Sequence, residues 1–167
     1  MKIKTSYFYQ IRNFKPYQIP LSTAISDPAW YHSKTEDYYI DKNGVINGLR
    51  IGMLQPQRSL GYLCGGKNCM QKPESCEFLR AYYGQLCLLN FKKLMCLLEQ
   101  TADVMQNFLK FGEEPEIILI VHEAPTNPCS ERKVIQQYFK EKGIACTEFR
   151  KGSTNERNSI LQLREEK

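Results

Sequence analysis

Two groups of side chains in this sequence have the types and spacing to do chemistry. The first is the run His122-Glu123-Ala124-Pro125-Thr126-Asn127-Pro128-Cys129-Ser130-Glu131-Arg132. Asn127 is a good helix N-cap, Pro128 suits a first helical position, and Glu131 then sits in the first turn. On that reading a helix runs from about Pro128 to Lys142, and Cys129 is its second residue. Unpaired backbone N–H groups and the helix dipole stabilise an anion there. A thiol so placed has a lowered pKa and more thiolate, the form needed of a nucleophile. The same N–H groups suit a phosphate or carboxylate, with Ser130 beside them. Glu123 and His122 are placed to act as acid or base, and Arg132 to neutralise a ligand's charge or to pair with Glu123. Three readings stay open: simple capping with Cys129 packed beneath, an anion site, and a thiol-dependent enzyme.

The second group is Cys64-x4-Cys69-x6-Cys76, in a Gly- and Lys-rich stretch. Thiolates bind zinc well, and thiols close in sequence form half-sites. Three ligands are one short of a closed site, so a fourth would come from Cys87, Cys129, His122 or His32. Unligated thiols, an iron–sulfur cluster and a redox pair are the alternatives. If Cys129 were the fourth ligand, the two groups would be a single site.

The elements that position these residues follow from periodicity. Ile3 to Tyr9 and Gln18 to Ile25 read as strands, the second with Pro20 at an edge or irregular position. Ser26-Asp27-Pro28-Ala29-Trp30-Tyr31-His32 is a turn leading into an aromatic cluster. Asn43-Gly44 and Asn47-Gly48 predict a hairpin or an excursion. Ser59 to Cys64 is a short strand candidate. Helices are predicted from about Glu74 to Leu89, with Ser75 as cap, and from about Phe91 to Phe111. The stripe Phe91, Leu94, Met95, Leu98, Ala102, Met105, Leu109 carries the second. Cys87 and Cys96 read as helix packing. Glu116 to His122 is a strand apolar through its middle, as expected when both faces are covered. Ile144 to Phe149 is the last strand, with Cys146 on it. Strand–helix–strand order predicts an α/β sandwich with a mostly parallel sheet. A single domain is expected over residues 1–150, and a polar tail over 151–167.

The chain has 167 residues and seven cysteines. The odd thiol count, with no apolar leader after Met1-Lys2-Ile3-Lys4, reads as reduced thiols in the cytoplasm. The longest apolar run is Ile117–Val121, so no membrane span is expected. The net charge is +5. Its excess falls within residues 42–93, where Lys42, Arg50, Arg58, Lys67, Lys72, Arg80, Lys92 and Lys93 face only Glu74 and Glu77. That excess is either a solvated face or a surface for nucleic acid or a protein partner.

Three groups of short motifs stand out: Thr5-Ser6-Tyr7-Phe8 with Arg12, Ile25-Ser26 with Pro28 and Trp30-Tyr31, and Glu123-x-Pro125 through Cys129 with Arg132 after it. In these motifs the chain resembles the uncharacterised family called domain of unknown function 488. The resemblance implies a Rossmann-like α/β domain with its loops gathered at one sheet edge, and no established reaction. The family's Cys-His-Arg is here Cys129-Ser130-Glu131-Arg132, so no His stands in that triplet.

Two functions are therefore expected as alternatives. One is binding of an anionic small molecule or nucleotide at residues 123–132, with Cys129, Glu123 and Arg132 as candidate catalytic residues. Tyr7, Ser26, Trp30, Tyr31, Asn127 and Ser130 would then be the ligand contacts. The other is a non-catalytic module, stabilised by zinc on Cys64, Cys69 and Cys76.

Overall fold

A computed structural model of the chain describes residues 1–64, 69 and 72–152. Strand β1 is Lys2–Tyr7, β2 Gln18–Ser22, β3 Tyr39–Ile40, β4 Ile46–Asn47, β5 Glu116–Val121 and β6 Cys146–Glu148. Helix α1 is Glu77–Cys87, α2 Phe91–Leu109 and α3 Glu131–Glu141. One four-stranded sheet has the order β2-β5-β1-β6, and every neighbouring pair in it is parallel. This is the α/β fold that the alternation of strand and helix predicts. Every residue of β5 is buried, as its unbroken apolar run requires of a central strand. No helix among the described residues is long and apolar enough to cross a membrane.

Among the described residues all three helices lie on one face of the sheet. On one face Ile3, Ile19, Leu21, Ile117, Leu119 and Val121 meet residues of all three helices: Leu79, Tyr82 and Leu86 of α1, Leu94, Leu98 and Ala102 of α2, and Ile135, Tyr138 and Phe139 of α3. On the other face Ile118 and Ile120 meet Phe8, Ile11, Phe14, Ala24, Tyr31, Val45 and Phe149. A 3-10 turn at Phe8–Asn13 and the aromatic segment after β2 supply that cover. The segment's large rings bury enough apolar area to cover the sheet without regular helix.

Several boundaries move for local reasons. The first strand ends at Tyr7, because Phe8–Asn13 winds into the 3-10 turn that turns Phe8 and Ile11 inward. Ser59 to Cys64 is not a strand: Arg58–Leu63 is a 3-10 turn with Tyr62 almost fully exposed. Gly61 interrupts the run, and among the described residues no strand pairs with it. Helix α1 starts after Cys76 and not at a Ser75 cap. Cys87 and Cys96 are exposed and so do no packing, whereas Cys146 is buried on β6. The Asn43-Gly44 signal does mark a turn: β3 and β4 pair antiparallel around it, Gly44 has φ 79°, and Asp41 Oδ1 accepts from the N–H groups of Asn43 and Val45. Gly48 has φ 102°, and a Cβ there would lie 2.5 Å from the Asp37 carbonyl oxygen. The expected polar tail lies outside the described residues from position 153 on.

Burial makes the fold sensitive to alkali. The Cys146 thiol is pushed up from 9.0 to about 12 by burial and then by Glu148. Burial also raises Tyr31 and Tyr82. These groups stay neutral in the fold but ionise in the unfolded chain. Their share of stability is therefore complete below pH 9 and lost as pH rises toward 12. Thermal unfolding followed from pH 8 to 11 should show a falling midpoint, with a shallower fall in Cys146→Val. An equal slope in that variant would remove Cys146 from the account.

Candidate functional site

In a parallel sheet, ligands bind beyond the carboxyl ends of the strands. Here that edge carries Tyr7, Ser22, His122 and Glu148, and the side chains around it form two polar groups.

The first group is on the helix side. Arg132 is 3% exposed and donates from Nε to Glu148 Oε2 at 3.0 Å. Thr5 Oγ1 donates to the same oxygen at 2.6 Å, and Gln136 Nε2 donates to Thr5 Oγ1. Ser130 Oγ receives Arg132 Nη1 and reaches Glu123 Oε2 at 3.4 Å. The Arg132 guanidinium lies 5.7 Å from the centre of the Tyr7 ring. Glu131 is also buried, and its carboxyl is pushed up to about 8 by that burial and then by Glu123.

This geometry corrects two expectations. Helix α3 opens at Glu131, three residues later than the Asn-Pro signal predicts, with Ser130 as its cap. The Ser130 hydroxyl accepts from the Arg132 N–H, while Asn127 Oδ1 accepts from the Cys129 N–H in a turn ahead of the helix. Cys129 is therefore outside the helix. Its thiol is raised, not lowered, by burial and then by neighbouring thiols. The argument for an activated nucleophile falls with the boundary. Arg132 is a buried ion-pair partner, and the nearby Glu123 and Glu148 oppose an incoming anion.

The second group lies across the sheet edge. Asp27, whose side chain is 1% exposed, is its centre. Ser22 donates a short hydrogen bond to Asp27 Oδ1. His32 Nε2 meets Oδ2 at 2.7 Å, and Arg50 Nη1 donates to the same oxygen at 2.8 Å. A carboxylate only accepts, so His32 carries its proton on Nε2. Arg50 also donates to the Ala24 carbonyl and to Gln55 Oε1. About a third of each of the His32 and Arg50 side chains stays exposed. Arg50 lines a groove of about 300 Å³ between β2 and α2, where the other lining residues are Leu21, Leu49, Ile51, Leu97, Gln100, Thr101, Val104 and Met105.

The expected ligand contacts divide between these groups. Tyr7 and Ser130 stand with Arg132. The Ser26 carbonyl accepts from His122 Nε2, and Trp30 is half exposed, edge-on to Phe8. Tyr31 is no part of a ligand roof: it is fully buried, and its hydroxyl donates to the carbonyls of Pro20 and Leu49. The sequence reading did not join Asp27, His32 and Arg50: it offered His32 only as a possible metal ligand and Arg50 only as part of the basic excess. The available signal was an acid immediately beyond the carboxyl end of a strand, in Ser26-Asp27-Pro28. Of the basic residues in 42–93, Arg50 is committed to Asp27. Lys42 lies in the β3–β4 turn, Arg80 on α1, and Lys92 and Lys93 at the start of α2.

The three-cysteine group does approach Cys129. The thiols of Cys69, Cys76 and Cys64 all add to the upward shift of the Cys129 thiol. Among the described residues, no group of three or more His, Cys, Asp or Glu side chains is assembled to hold a metal ion.

No protein-family model, curated protein or solved structure matches the chain. The resemblance to domain of unknown function 488 rests on the short motifs alone.

Proposed function

We propose that the chain binds an anionic small molecule, for which a nucleotide is the natural probe, in the groove beside Arg50. One observation carries this reading: among the described residues Arg50 is the only charged one lining an otherwise largely apolar groove, and a buried carboxylate fixes its guanidinium. Binding pockets combine apolar walls with a few placed polar groups. Arg50 would receive the anionic head, and Leu49, Ile51, Leu97 and Val104 the body. The groove is preferred to the 123–132 loop as the anion site because Arg132 is buried, whereas about a third of the Arg50 side chain is exposed.

Calorimetric titration with adenosine monophosphate and with adenosine tests the reading. The nucleotide should bind more tightly than the nucleoside. Arg50→Lys keeps the charge but loses the planar fork, and should weaken nucleotide binding about 10- to 100-fold. Equal affinity for the two ligands, or an unchanged affinity in Arg50→Lys, would refute it.

A further inference from the structure

Helix α2 carries a second apolar stripe beside the one that faces the core. Leu94, Leu98 and Ala102 are buried against the sheet. About a quarter turn further round the helix stand Leu97, Thr101, Val104 and Phe108. Leu97 is 40% exposed, Val104 58% and Phe108 48%. The Phe108 ring meets the exposed Tyr38 edge-on, which widens the patch. The Thr101 hydroxyl is turned back to the Leu97 carbonyl at 2.8 Å, so it needs no partner from outside the helix. A helix at the surface of one domain needs a single apolar face. A second one, left open to solvent, marks an interaction surface.

The spacing of the stripe and the charges around it point to one occupant. Positions 97, 101, 104 and 108 follow steps of four, three and four, the spacing of a helix–helix seam. Those steps read the same in either direction. Two copies of α2 packed antiparallel about a two-fold axis therefore set Leu97 of one opposite Phe108 of the other, and Thr101 opposite Val104. The charges fix that direction. Lys92 and Lys93 lie in the first turn of α2, and Glu113 follows its end. Among the described residues, none of these three side chains takes part in an ion pair. Antiparallel packing brings the lysines of one copy to Glu113 and the carboxyl end of α2 in the other, a favourable meeting on both counts. Parallel packing would set lysine against lysine and Glu113 against Glu113. Glu99 is kept off the seam on the opposite flank, where it lines a different groove with Lys2 and Thr147. We propose that the chain forms a symmetric dimer through this stripe, α2 running antiparallel to α2 of a second copy. Three helical turns make a small seam, so the dimer is weak, with a dissociation constant of about 1–100 μM. The seam shares Leu97 and Val104 with the wall of the Arg50 groove but needs no ligand there, so either proposal can fail while the other stands.

The test is sedimentation equilibrium of the reduced full chain, without nucleotide, at about 5 to 500 μM, a range that brackets the expected constant. The mass should rise from 19.5 kDa toward twice that value. Val104→Glu places two carboxylates near the centre of the seam and should weaken the dimer at least about tenfold. Lys93→Glu should weaken it about 3- to 10-fold at low salt, because a rim ion pair is lost twice per dimer. Adding Glu113→Lys to Lys93→Glu reverses both charges and should restore the association. Should Val104→Glu fail to fold, the charge reversal, made at two exposed positions, decides the matter. A chain that stays monomeric at the highest concentration, a dimer unaffected by Val104→Glu, or a double charge reversal that recovers nothing would overturn the proposal.

Discussion

Arg132→Met should destabilise the protein by about 3–5 kcal/mol, the usual cost of removing one partner of a buried ion pair. The side chains of Arg132 and Glu148 are 4% and 19% exposed, and Glu148 also collects Thr5 Oγ1 and Gln136. Loss of the guanidinium leaves a carboxylate inside the helix side of the sheet with only neutral donors. Methionine keeps much of the arginine's length, so the loss is electrostatic more than steric. The double variant Arg132→Met/Glu148→Leu should recover at least half of that stability, because replacing both partners removes the stranded charge. Urea unfolding of the three proteins checks this. A single-variant loss below about 1 kcal/mol would mean that the pair behaves as an exposed one, and that Arg132 is free to meet a ligand after all.

Asp27→Asn is the second large effect. Asparagine keeps the shape but withdraws the charge that His32 and Arg50 share. It also replaces one accepting oxygen with an NH2 group that faces donors. Charge-assisted hydrogen bonds contribute about 1.5–3 kcal/mol each, and the two partners here are partly exposed, so a total loss of about 2–3 kcal/mol is expected. Arg50 would keep its bonds to Ala24 and Gln55 but lose the anchor that sets its angle to the groove. Asp27 is thus a positioning residue. Its replacement should weaken nucleotide binding about tenfold while leaving binding of the nucleoside unchanged. A stability loss with no change in the nucleotide-to-nucleoside ratio would make the cluster purely structural.

The sequence made the sheet legible because its signals are local and strong. The apolar run of β5 could only be a strand covered on both faces, and the stripe Leu94-Leu98-Ala102 could only be a helix face. The start of α3 was not legible. Asn127-Pro128 and Ser130-x-Arg132 are both credible openings, and the choice depends on where Ser130 is buried, which is a tertiary fact. Tyr31 was misread for a similar reason. An aromatic residue in a turn looks available to a ligand until the other face of the sheet is found to need cover. The Asp27 cluster joins positions 22, 27, 32 and 50 across three segments, so no spacing rule announces it.

The most direct measurement is methyl and arginine-side-chain NMR during titration with adenosine monophosphate. Saturable shifts should map to Leu49, Ile51, Leu97, Val104 and the Arg50 guanidinium, with the methyl groups of Ala124 and Thr126 and the Arg132 guanidinium unmoved. Shifts centred on the 123–132 loop, or none at millimolar nucleotide, would contradict the assignment of the anion site to Arg50.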